Sequence, residues 1–162
     1  MASSDLRFLP NENLPPEHPI VAMCEEAGDT VLRGVPLSSQ PGEPIIAWVK
    51  HGPSVTIYEA LTQDWAARGL NAKPETSVRV PRVHAFFSST ATSGRFSLAV
   101  GHIVMEYIDA PDCAEEDVTV VAHVVQALID IRGPNSAPGH VGGGPVMHNF
   151  FVSDQVSPFI YI

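Results

Sequence analysis

Between Val118 and Ile131 the chain reads VTVVAHVVQALIDI, and only Thr119, His123, Gln126 and Asp130 interrupt its apolar side chains. Their spacings of four, three and four residues place them on one narrow stripe of an α-helix, which leaves the rest of the cylinder apolar. Asp112 and Glu115 have an Asp-x-x-Glu spacing related to a capping box, acidic residues fill the first turn, and Gly133-Pro134 closes the far end. A helix of this kind needs neighbours on most of its sides, so whatever else the chain forms must cover it.

At 162 residues the chain is long enough for one hydrophobic core and short for two ordinary domains, so one domain is expected. Nine Lys and Arg against 18 Asp and Glu give a formal charge of -9. That balance repels nucleic-acid phosphates and anionic membrane surfaces. Neither nucleic acid nor membrane is an expected partner, and no apolar run reaches the roughly 18 residues of a candidate membrane span. Cys24 and Cys113 lack metal-ligand spacing, and the chain does not open with a charged n-region, an apolar h-region and a cleavage site. The expectation is a reduced, cytoplasmic setting without a bound metal.

Four prolines in FLPNENLPPEHP disfavour a helix, and residues 1–20 are expected to form an irregular arm ahead of a single lobe over 21–162. DTVLRGVPL reads as a short strand and SSQPGEP as a turn. PIIAWVK is β-branched and apolar, a buried strand ending at Lys50, and HGPS breaks it. Ser54 is placed to cap a helix over 55–68 that Gly69 stops. NAKPETS is a polar connection, VRVPRVHAFF a strand whose proline puts it at an edge or a beginning, and SSTATSGR a flexible turn. FSLAVGHIVMEYI is a second strong strand ending near Tyr107, and SPFIYI at the carboxyl end is strand-like. The fold class that follows is α+β: a small antiparallel sheet with one inserted helix plus a long apolar helix.

The order of these segments resembles the amino-terminal lobe of the aminoglycoside phosphotransferase and choline-kinase-like branch of the protein-kinase-like fold, most closely its fungal members. The matching residues are Val49-Lys50-His51-Gly52, Glu59, Val80-Pro81-Arg82-Val83, Val104-Met105-Glu106-Tyr107-Ile108, Leu128 to Arg132 and Gly142-Gly143-Gly144-Pro145, over roughly residues 30–158. The resemblance implies that Lys50 pairs with Glu59 and with nucleotide phosphates. It also implies that Met105 lies at the back of an adenine slot and that Glu106, Tyr107 and Ile108 form a hinge.

Phosphoryl transfer also needs one carboxylate for the nucleophile and another, with an amide, for magnesium. The family supplies these from HGD....N and a later aspartate, and neither pattern occurs here; Asp154 is the only acid after Pro145. RGVPLSSQPGEP also lacks the free amides of a phosphate-cradling loop, because proline donates none. The expectation is a truncated kinase-like protein that transfers no phosphate alone and needs no cofactor. A lobe left uncovered in this way is expected to form a homodimer.

The function read from these residues is a small-molecule enzyme of isomerase, cyclase or lyase type in a biosynthetic pathway, probing a largely apolar metabolite with acid/base chemistry. Its candidate catalytic residues are Lys50, Glu59, His84, His102 and His123, and its candidate substrate-binding residues are Trp48, Met105, Glu106, Tyr107 and Gln126. His18, His51, His140 and His148 fall in segments read as loops, where a solvated histidine is the default. Two alternatives stand beside this one: a non-catalytic, pseudokinase-like interaction module, and a phosphotransferase fragment completed by a partner chain. No Gly-x-Ser-x-Gly elbow and no His-x-x-x-His helix spacing adds a further chemistry.

Overall fold

The two strong strand segments read from the sequence pair with each other at the centre of a four-stranded antiparallel sheet, ordered β1-β2-β4-β3. The computed structural model describes residues 8–28, 34–40, 42–93, 95–111, 113–133 and 141. Its strands are β1 (Val35–Ser38), β2 (Ile45–Gly52), β3 (Val83–Ser93) and β4 (Phe96–Met105), and its α-helices are α1 (Glu17–Ala27), α2 (Ile57–Asn71) and α3 (Val118–Ile129), the last preceded by one 3-10 turn at Glu115–Asp117. The described architecture is therefore α+β with a small antiparallel sheet. Among the described residues no helix is long and apolar enough to cross a membrane.

Strand alternation sorts the core into two layers. On one face Val35 and Leu37 of β1, Ala47 and Val49 of β2, Val104 of β4 and Phe87 of β3 pack beneath Ile20 and Cys24 of α1. On the other, Ile103, Met105, Val83 and the half-buried Trp48 and Phe86 pack with Val55, just before α2, and Ala60, in its first turn. Two glycines permit the close approaches that hold these layers. A Cβ on Gly101 of β4 would sit 2.0 Å from the Val55 carbonyl oxygen, so only glycine lets the turn before α2 lie on the sheet. At Gly34, with φ +67, an added Cβ would sit 2.4 Å from Trp48 Nε1, so this position too requires glycine.

Several local expectations are corrected. The arm read as irregular through residue 20 becomes helical at Glu17, because Ile20 and Cys24, one turn apart, bury against the sheet. Helix α2 starts at Ile57 and not at 55: Thr56, not Ser54, is its cap, accepting from the Glu59 amide at 3.3 Å. Gly69 does not stop it, since burial of Leu70 outweighs the glycine penalty of about 1 kcal/mol. The 78–82 stretch lies outside any strand, whereas SSTATS, read as a turn, continues β3 in register with β4 as far as Ser93 opposite Phe96. Strand β4 ends at Met105, two residues before Tyr107. The start of the last helix is held by Asp117, whose carboxylate accepts from the Ala114 amide at 2.9 Å; Asp112 lies outside the described residues, as do 29–33 and the SPFIYI segment.

Helix α3 is the largest departure. Its apolar circumference calls for cover on most sides, yet none of its residues is buried. Val124, Ala127 and Ile131, spaced as one helical stripe, are half-buried, and Ile131 lies beside Gly69 of α2. Val118, Val120, Val121, Val125, Leu128 and Ile129 are exposed.

Candidate functional site

Lys50 and His51 are consecutive in β2 and therefore leave it on opposite faces, which divides the candidate residues into two groups. On the α2 face, Glu59 sits in the first turn of α2, where the helix dipole favours a carboxylate, and it forms an ion pair with the Lys50 ammonium. Their side chains are 46% and 31% exposed, so water screens the pair and leaves both groups accessible. Cross-strand from Lys50 is Ile103, and from Trp48 is Met105. Met105 is buried, and its sulfur accepts from Gln63 Nε2 at 3.3 Å; the same amide donates to the Pro81 carbonyl at 2.9 Å.

The residues that follow β4 are tied down. The Glu106 amide donates to the Arg82 carbonyl at 2.8 Å, and its carboxylate pairs with Arg79. The Tyr107 ring stacks on Trp48 with centroids 6.1 Å apart and planes at 21°. Partial burial, then the charge of Asp109 and a long hydrogen bond donated to it, raise the Tyr107 phenol above its ordinary range.

On the α1 face a row of three rings crosses the sheet. His51, His102 and Phe87 are direct cross-strand neighbours on β2, β4 and β3. The two imidazoles stack at 6.0 Å and 11°, and His102 stacks on Phe87 at 4.9 Å and 15°. His102 is 2% exposed; its Nε2 lies 2.9 Å from Ser89 Oγ, while its Nδ1 and the Nε2 of His51 are buried without a hydrogen-bond partner among the described residues. Burial, and secondarily His51, push the His102 imidazole below its ordinary value. It is a neutral ring in a filled interior, able to accept or donate one hydrogen bond but closed to substrate. Cys24, on the same face, is a buried thiol that desolvation and then Glu25 push up to about 11, far from a reactive thiolate.

The remaining candidates lie apart from both groups. His84 sits at the irregularity between Val83 and Ala85, and its Nδ1 lies 2.9 Å from the Leu9 carbonyl oxygen, fastening the amino-terminal arm to β3. His123 is exposed on α3, and Gln126 on the same helix donates to Asp130 at 2.8 Å. The structure thus brings Lys50 to Glu59 and His102 to His51, and brings neither His84 nor His123 to either pair. Two concavities are described, of about 480 Å³ beside Phe8, Leu9 and Arg68, and about 230 Å³ beside Lys73, Thr76 and Arg79, with Arg82 lining both. Neither is lined by Lys50, Glu59 or a histidine. Among the described residues no group of three or more His, Cys, Asp or Glu is placed to hold a metal ion.

Sequence reasoning missed two features. HGP reads as a strand break, which ends the strand at Lys50 and leaves His51 in a loop; β2 instead runs on to Gly52, and the alternation Ala47, Val49, His51 already places His51 on the core face. NAKPETS reads as a polar connection and VRVPRVHAFF as a strand, which splits a cluster of cations: four of the nine Lys and Arg fall within 68–82.

No family model, no curated protein and no solved structure matches this chain.

Proposed function

We propose that this chain is a kinase-like small lobe that works as an interaction module, and that its partner through α3 is a second copy of itself. The observation that carries the proposal is the uncovered helix: twelve residues, none buried, with Val118, Val120, Val121, Val125, Leu128 and Ile129 exposed. Contiguous apolar surface of this kind on a folded chain marks an interface. From Val118 to Ile129 the helix carries no Lys, Arg, Asp or Glu. Elsewhere a formal charge of -9 opposes self-association, but a two-fold contact along this helix brings no like charges together. The kinase-like part of the reading is supported by the β2-α2-β3-β4 order and by the ion pair that joins Lys50 to Glu59.

The test is sedimentation velocity of the full chain across a concentration series, together with a Val125→Glu/Leu128→Glu variant. A dimer that the double substitution converts to monomer supports the module; a wild-type chain that stays monomeric at every concentration rejects it.

A second reading, a phosphotransferase lobe completed by another polypeptide, is favoured by the accessible Lys50–Glu59 pair. It requires magnesium ATP to bind the chain and Lys50→Ala to remove that binding. The acid/base enzyme reading has less support, because neither described concavity is lined by Lys50, Glu59 or a histidine. The sheet also sends Lys50 and Glu59 to one face and His102 to the other.

A further inference from the structure

The loop between α2 and β3 holds an unusual concentration of hydrogen-bond donors for so acidic a chain. Asn71, at the end of α2, clamps it: Asn71 Nδ2 donates to the Val80 carbonyl at 2.8 Å, and the Val80 amide donates back to Asn71 Oδ1 at 2.9 Å. Inside this closed loop the Lys73 amide donates to Leu70 at 3.0 Å, the Thr76 amide to Lys73 at 3.3 Å and the Val78 amide to Thr76 Oγ1 at 3.1 Å. The loop is therefore shaped by its own bonds, and it walls the concavity of about 230 Å³.

The lining is rich in free donors and poor in free acceptors. The Asn71 amide group is consumed by Val80, and Thr76 Oγ1 has accepted once, which leaves its O–H to donate. Ser77 contributes a second hydroxyl, and three cations, Lys73, Arg79 and Arg82, face the same space. Glu106 neutralises Arg79. Among the described residues neither the Lys73 ammonium nor the Arg82 guanidinium has an ion-pair partner. Two uncompensated cations beside two hydroxyls suit an oxyanion with several acceptor atoms. The volume lies below the roughly 300–1,000 Å³ of sites that enclose drug-sized ligands, so the fit is to a small group and not to a whole nucleotide.

We propose that Lys73, Thr76, Ser77 and Arg82 form a binding site for a small phosphate-type oxyanion, either free phosphate or the head of a phosphorylated metabolite. The site is separate from the Lys50–Glu59 pair and does not depend on the dimer. Phosphate-observed NMR and calorimetric titration of the full chain, at matched ionic strength in chloride, read the binding. Inorganic phosphate and glycerol phosphate are the two probes, and whichever binds more tightly identifies the source. Saturable binding is expected, weakened at least about tenfold by Arg82→Ala or Lys73→Ala and abolished by Lys73→Glu/Arg82→Glu. All of these positions are exposed, so the circular dichroism of each variant should match that of the parent. Arg95→Ala, which removes an exposed cation at the far end of the β3–β4 hairpin, leaves the binding unchanged. Non-saturable binding, equal weakening by Arg95→Ala, or loss on Lys50→Ala in place of Arg82→Ala would overturn the proposal.

Discussion

Strand β4 and helix α3 are both dominated by apolar side chains, yet β4 is sealed from Gly101 to Met105 and α3 has no buried residue. Within β4 itself the same contrast appears. The half that pairs with β2 is buried, while Phe96 and Leu98, which extend with β3 beyond the end of β2, are 81% and 53% exposed. Hydrophobicity states a demand for cover; a neighbour on each face is what meets it. Around Ile103 that cover comes from β2, β3 and α2, whereas along α3 only Val124 and Ala127 are even half-buried among the described residues.

The sharpest way to break this comparison is to spoil the cover of β4. In Gly101→Ala the new methyl would meet the Val55 carbonyl oxygen at 2.0 Å, a backbone atom that cannot step aside. A loss of about 3 kcal/mol or more in urea denaturation is expected; an unchanged midpoint would mean that the turn before α2 does not lie on the sheet as described. Next in size is Asn71→Ala, which leaves the Val80 amide and carbonyl without their partner. It should cost about 1–2 kcal/mol by the same measurement and speed amide exchange at Val80.

The sealed face should also carry a pH dependence of its own. The unfolded chain protonates His102 near its ordinary value of about 6.5, while the folded chain resists protonation until lower pH. The unfolded state therefore binds more protons in that window. Stability contributed by the neutral ring is complete above about 6.5, falls as pH drops toward the depressed folded value and levels off below it. The slope cannot exceed about 1.4 kcal/mol per pH unit for one proton. Urea midpoints measured against pH should show this fall in the wild-type chain and a flatter profile in His102→Gln; equal slopes would remove His102 as the cause.

The smallest effect on folding belongs to α3. Leu128→Glu should move the unfolding free energy of the isolated chain by no more than about 0.5 kcal/mol, because the side chain is already 42% exposed, while shifting the sedimentation profile toward monomer. A large loss of stability without any change in association would show that α3 is covered from within its own chain.

Much of the scaffold is legible in the sequence because it rests on local signals. β-Branched runs marked β2 and the second half of β4, Pro and Gly marked the breaks, and the four-residue polar stripe marked α3. The errors cluster where a local signal competed with burial. Gly69 resembles a stop, but Leu70 is worth burying; SSTATS resembles a turn, but β4 offers it a full ladder; four prolines suggest an irregular arm, but Ile20 and Cys24 find the sheet. The Lys50–Glu59 pair was legible only through the resemblance to a kinase-like lobe, which implies it, and it joins a strand lysine to a first-turn carboxylate nine residues on. The His51–His102 stack was not, because it joins residues that only strand register places opposite each other.

The amino-acid sequence by itself determined the α+β class, the positions of the main strands and the uncharged character of α3, since each depends on periodicity within a dozen residues. The tertiary structure alone decided which face each residue serves: it separated Lys50 from His51, closed His102 into the core and gathered Lys73, Thr76, Ser77 and Arg82 around one loop. Those outcomes depend on long-range pairing and on the competition for buried surface, which the order of residues along a chain does not state.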